Sequence, residues 1–152
     1  MSSVFNSPFE VSIRVLLVLM ADDAPKSIDM IAAMDFISAY GKTFKISGTN
    51  LHGENYYMFG ELTARRTIVK KAIRALLQND MIDVYEKEDG FYFKANDSGE
   101  DYCSSLTSDY AREYAKTAKA AAVFIGQKSD KDIFKEILSK SSTGLKLGGH
   151  DE

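Results

Sequence analysis

Residues 61–99, ELTARRTIVKKAIRALLQNDMIDVYEKEDGFYFKANDSG, constrain the fold more than any other stretch of this 152-residue chain. Leu62, Ile68, Val69, Ile73, Leu76 and Leu77 recur at helical spacing, so the stretch from roughly Glu61 to Asn79 reads as an amphipathic helix. Two short runs rich in β-branched and aromatic residues follow, Met81–Glu86 and Gly90–Ala95, with Asp89-Gly90 as the turn of a hairpin. Charge divides between these elements. The helix carries Arg65, Arg66, Lys70, Lys71 and Arg74 with no acidic residue between Thr63 and Gln78, and Arg66, Lys70 and Arg74 fall on one outer face at four-residue spacing. The turn carries Glu86, Glu88 and Asp89 around a single Lys87. A helix so unbalanced implies an anionic partner, either nucleic-acid phosphate or an acidic protein surface.

Upstream, Ser7, Pro8 and Glu10 form an N-terminal signature for a first helix starting at Pro8. Phe9, Val11, Ile13, Val15, Leu16, Leu17, Val18, Leu19 and Met20 make it apolar on nearly every side, so it must be surrounded by protein. The apolar run from Val11 to Met20 is interrupted by Ser12 and Arg14 and is about half the ~20 residues a membrane span needs. It also lacks the flanks of a signal peptide, so a cytoplasmic protein without membrane contact is expected. After the break at Asp22-Asp23-Ala24-Pro25, SIDMIAAMDFISAYG reads as a second helix capped by Ser27, ended by Gly41, and directing Ile28, Ile31, Ala32 and Ile37 inward. Residues 42–60 are long for a structureless connection, and loops of that kind tend to be functional. Asn50, His52, Glu54 and Asn55 cluster there, while Phe44, Ile46, Leu51, Tyr56, Tyr57 and Phe59 could pin the loop to the core.

Past the hairpin, Asp97 or Ser98 should cap a helical stretch reaching Gly126, with a break near Thr107 or Ser108 because it exceeds the usual helix length. Tyr102, Leu106, Tyr110, Tyr114 and Ala118 recur there at four-residue spacing, which suits core packing against the first helix or, in a sharper reading, a protein interface at Tyr110 and Tyr114. A last helix capped by Ser129 carries Ile133, Phe134, Ile137 and Leu138.

Three helices and a hairpin outline a winged helix. The expected architecture is therefore mostly α with a small β-hairpin: a winged helix-turn-helix domain over 1–99 that includes the loop 42–60, C-terminal helices over 100–140, and a disordered tail over 141–152. A DNA-reading winged helix carries cations on both recognition helix and wing, because phosphate neutralisation supplies most of the affinity. Here the wing is acidic, and a net charge of −3 with a pI near 5.4 does not suit a protein that binds nucleic acid alone. Protein contacts are favoured, through Arg65, Arg66, Lys70 and Arg74, through Asn50 and His52, and through Tyr110 and Tyr114. The competing expectation is a transcription regulator whose third helix enters a major groove.

Enzyme chemistry has little support. His52 and His150 are the only histidines, and the single Cys103, expected to be a core residue, excludes an internal disulfide or a multi-cysteine zinc site. Phosphate-binding loops of the GxxxxGK[ST] and GxGxxG kinds do not occur. Asp22, Asp23, Asp29 and Asp35 are spaced like solvated helix and turn residues. The expectation is a non-enzyme with no metal and no cofactor.

FNSPFE, MDFISAYGKTF, NLHGEN and ELTARR together resemble the middle component of bacterial ABC-three-component anti-phage systems of the Lamassu type, over roughly residues 4–140. The resemblance implies a non-enzymatic adaptor joining an SMC- or Rad50-like ATPase to an effector, often a nuclease. DNA would then be met, if at all, through the complex.

Overall fold

The computed structural model describes residues 7–41, 44 and 61–139. The loop around Asn50 and His52 and the tail 141–152 lie outside them. Within them the chain runs α1 (Pro8–Leu19), α2 (Ile28–Ala39), α3 (Glu61–Gln78), β1 (Ile82–Lys87), β2 (Gly90–Ala95), α4 (Asp97–Ser104) and α5 (Asp109–Ile125), followed by a helix α6 over 130–139. The protein is mostly helical, with a two-stranded antiparallel sheet.

Local signals place most helix starts. Ser7 Oγ accepts from Glu10 N at 3.2 Å, Ser27 Oγ from Met30 N at 3.0 Å, and Ser129 Oγ from Asp132 N at 3.1 Å. Each satisfies an N–H that the first helical turn leaves open. The long helical stretch after the hairpin does break, and Ser108 caps α5 by accepting from Ala111 N at 3.1 Å. The cap of α4 is Asn96, one residue before the expected Asp97, because Asn96 keeps extended backbone angles while its side chain accepts from Gly99 N at 3.0 Å. The break changes the inward stripe of α5. Ala111, Tyr114, Ala118, Ala121 and Ile125 are buried, whereas Tyr102 and Leu106 belong to the preceding helix and its loop and are half-buried.

The core gathers around α2. Every residue from Ile31 to Ala39 is buried, so this helix has no polar face over that span, a wider burial than the single stripe expected of it. α1, α3 and α5 pack on it, and α1 is itself buried from Arg14 to Leu19. α5, which buries Ala111, Ala118 and Ala121, packs on both α1 and α2.

The hairpin pairs Ile82 with Ala95 through Lys87 with Gly90, so Glu88 and Asp89 form its tip. Gly90 holds φ at +135°, a conformation that L side chains rarely adopt. At the base, α3 ends with Asp80 in the left-handed region and Met81 N donating to Leu76 O at 2.9 Å. Asn96 Nδ2 donates to Asp80 O at 2.8 Å. A third segment touches the sheet: Lys26 N donates to Phe93 O at 2.9 Å and Phe93 N to Lys26 O at 2.8 Å, fastening the α1–α2 connection to the outer edge of β2.

Candidate partner interface

The rotation of α3 decides which of its cations reach solvent. Leu62, Val69, Ala72, Ile73 and Leu76 face the core, and Arg65 lies on the same side, three residues from Leu62 and four from Val69. Arg65 is only 3% exposed. Its placement corrects the expectation of an outward contact residue: the helical phase carries it inward, away from the ridge.

Inside, Arg65 joins a polar cluster at the meeting point of four helices. Asp35 on α2 accepts from Arg14 Nε at 2.8 Å and from Arg14 Nη2 at 3.3 Å. It accepts from Arg65 Nη1 at 2.6 Å and from the Tyr114 hydroxyl as well. The carboxylate thus uses about four acceptor positions, the full capacity of the group. Arg65 also lies over the Phe36 ring, 5.7 Å from its centroid. Asp35, expected among solvated carboxylates, is fully buried, as are Arg14 and Tyr114. The core reading of Tyr114 is the one its position supports.

Burial alone would raise the Asp35 carboxyl. Arg14 and Arg65 outweigh that penalty and hold it well below the usual carboxylate range. The same charge works back on Arg14 and Arg65, whose desolvation is overcome by Asp35 so that both stay protonated. Burial and the neighbouring carboxylate push the Tyr114 phenol well above its ordinary value, and burial pushes Tyr110, half-buried beside it, up to about 12. Because the folded value for Asp35 is depressed, its contribution to stability is complete above the unfolded value of about 3.9 and disappears as pH falls through the folded one. The melting temperature should therefore show little contribution from Asp35 titration between pH 7 and 5 and fall below about pH 4, where Asp35→Asn should flatten the dependence. A wild-type acid profile identical to that of Asp35→Asn would contradict the assignment.

The cluster ties α3 to α1, α2 and α5 and so orients it. With Arg65 turned in, Arg66, Lys70, Lys71 and Arg74 form the exposed ridge. Arg66 is already paired with Asp29 of α2, at partial exposure of both. Lys70, Lys71 and Arg74 have no ion-pair partner among the described residues. The hairpin that follows α3 exposes Val84, Tyr85 and Phe91 together with Glu86, Glu88 and Asp89. Lys87 is held over the Tyr92 ring at 4.5 Å.

Arg14 and Asp35 escaped the reading of the sequence. A signal was present: beyond the first turn, where Glu10 and Asp29 sit, each is the one charge in an otherwise apolar stretch of its helix, and opposite charges buried in that way must find one another. Cys103 is half-buried against the core, and burial followed by Glu100 pushes its thiol up to about 11, far from a reactive thiolate. No group of His, Cys, Asp and Glu suited to a metal ion occurs among the described residues, and none of their helices is long and apolar enough to cross a membrane. Asn50 and His52 lie outside those residues.

No curated protein and no solved structure matches the chain. The family model for the ABC-three component (ABC-3C) system Middle Component 2 matches residues 4–146, almost the whole length, and the chain belongs to that family.

Proposed function

We propose that this chain is a non-enzymatic, cytoplasmic winged-helix adaptor that links an SMC- or Rad50-like ABC ATPase to an effector, a nuclease, in an anti-phage or anti-plasmid defence complex. Membership of a three-component family implies partner subunits. The order α1, α2, α3, hairpin supports the winged-helix reading, and so does the Lys26–Phe93 bridge, which adds a short third segment to the sheet between the first two helices. The observation that carries the adaptor role is the hairpin surface. Where a DNA reader presents cations, this wing presents Val84, Tyr85 and Phe91 among acidic side chains, a composition suited to protein contact.

Co-expression with the neighbouring ATPase and effector components, followed by size-exclusion chromatography, tests the reading. Co-elution at micromolar concentration is expected, and independent elution of all three would refute it. The double variant Lys70→Glu with Arg74→Glu should weaken the complex while leaving the melting temperature near that of wild type, because both side chains are exposed.

Lys70, Lys71 and Arg74, exposed and without an ion-pair partner among the described residues, favour a second reading, a transcription regulator that places α3 in a major groove. It requires binding by the isolated chain with steep salt dependence. An unshifted duplex in a low-salt mobility assay rules it out.

A further inference from the structure

The free edge of β1 has a chemistry of its own. Phe93 directs its N–H and C=O to Lys26, away from β1. In an antiparallel pair, residues directly opposite one another either both face inward to exchange hydrogen bonds or both face outward. Val84 is opposite Phe93, so its N–H and C=O point outward too, on the far side of the sheet. The two-residue repeat extends this to Glu86. Among the described residues, no backbone hydrogen bond reaches Val84 or Glu86 from that side.

The side chains on this edge oppose a like-charged strand without barring an oppositely charged one. Five of the six residues of β1 are exposed, and Val84 is 47% and Phe91 56% exposed on one face. Proline is absent from the strand, and its one lysine, Lys87, is drawn over Tyr92. Asp83 and Glu86, with Glu88 and Asp89 at the tip, make the edge acidic.

We propose that the β1 edge receives an extended segment of a partner subunit in which apolar and basic residues alternate, added as a further strand of the sheet. The proposal rests on the adaptor reading only for the source of the segment. Backbone bonds from Val84 and Glu86 would supply the pairing. The apolar residues of such a strand would share the face of Val84 and cover it, and its basic residues would all lie on the opposite face, where they would meet Asp83. A second copy of this chain is the wrong occupant, because it would bring two acidic hairpins side by side. Nucleic acid is excluded by the same charge.

The test uses the full chain and a fluorescein-labelled heptapeptide of alternating Lys and Val, with an alternating Glu and Val peptide as control, read by anisotropy. Val84→Pro removes one outward N–H at a position where an edge strand tolerates proline. It should weaken the Lys-Val peptide by about tenfold or more. Asp83→Lys with Glu86→Lys should reverse the preference between the two peptides, and this variant decides the matter if Val84→Pro does not fold. Equal Lys-Val affinity for wild type and a folded Val84→Pro, or an unreversed preference, would overturn the proposal, as would a wild-type dimer in sedimentation that Val84→Pro dissolves. Within the co-expressed complex, Val84→Pro should impair co-elution; full co-elution of a variant that has lost peptide binding would refute the partner-segment assignment. Failure of the wild type to co-elute would instead refute the adaptor reading, with the peptide result unaffected.

Discussion

Asp35→Ala is expected to lower the midpoint of thermal unfolding by roughly 6–20 °C, the largest effect of any single substitution considered for this chain. The wild-type cluster contains two guanidiniums and one carboxylate in a site where Arg14 and Asp35 have essentially no solvent contact. Deleting the carboxylate leaves two buried like charges without their shared partner. Breaking buried pairs in this way costs about 3–5 kcal/mol, against a total domain stability of about 5–15 kcal/mol. Arg65→Ala should cost less, since it leaves a matched Arg14–Asp35 pair. Replacing all three charges with apolar residues of similar volume should recover much of the loss, because the desolvation penalty goes with them. Circular dichroism melts of the four proteins give the comparison. A midpoint for Asp35→Ala within about 2 °C of wild type would mean that water reaches the cluster.

Gly99→Ala is expected to be destabilising even though Ala is the better helix former. Propensity alone would favour Ala by about 1 kcal/mol. At this position a Cβ would meet the Met81 carbonyl oxygen inside van der Waals contact and would lie 3.2 Å from Leu16 Cδ2. Met81 O is not free to retreat, because it accepts from Asn96 N at 3.1 Å at the base of the hairpin. Overpacking of this kind costs about 1–3 kcal/mol, so the midpoint should fall by roughly 2–12 °C. Differential scanning calorimetry decides the sign. A raised midpoint would show that α4 can slide away from the hairpin at little cost.

The parts legible in the sequence are those governed by neighbours along the chain. Ser7, Ser27 and Ser129 announce their helices because a cap needs only a side-chain oxygen and an N–H three residues on. The hairpin is equally local, although its tip is Glu88-Asp89 and not Asp89-Gly90, a shift of one residue in the register. Contacts between distant residues were not legible. Arg14, Asp35, Arg65 and Tyr114 are separated by 21, 30 and 79 residues from one another through Asp35, and grouping Arg65 with the other cations by type hid its position on the apolar side of α3. The apolar run of α2 could be read as one inward stripe because a sequence does not reveal how many neighbours will surround it. Of the residues expected to meet partners, the structure places Arg66, Lys70 and Arg74 outward, Tyr110 half-buried, and Arg65 and Tyr114 within the core.

The inward Arg65 has a mechanical consequence. Successive residues of an α-helix are turned by about 100°, so rolling α3 by even one position would swing Arg65 away from Asp35 and draw another side chain into its place. The cluster therefore acts as a key in a slot, fixing the angular setting of the ridge relative to α1, α2 and α5. A force on the exposed face of α3 would be passed to α1, α2 and α5, since α3 cannot turn alone without separating the buried Arg65 from Asp35.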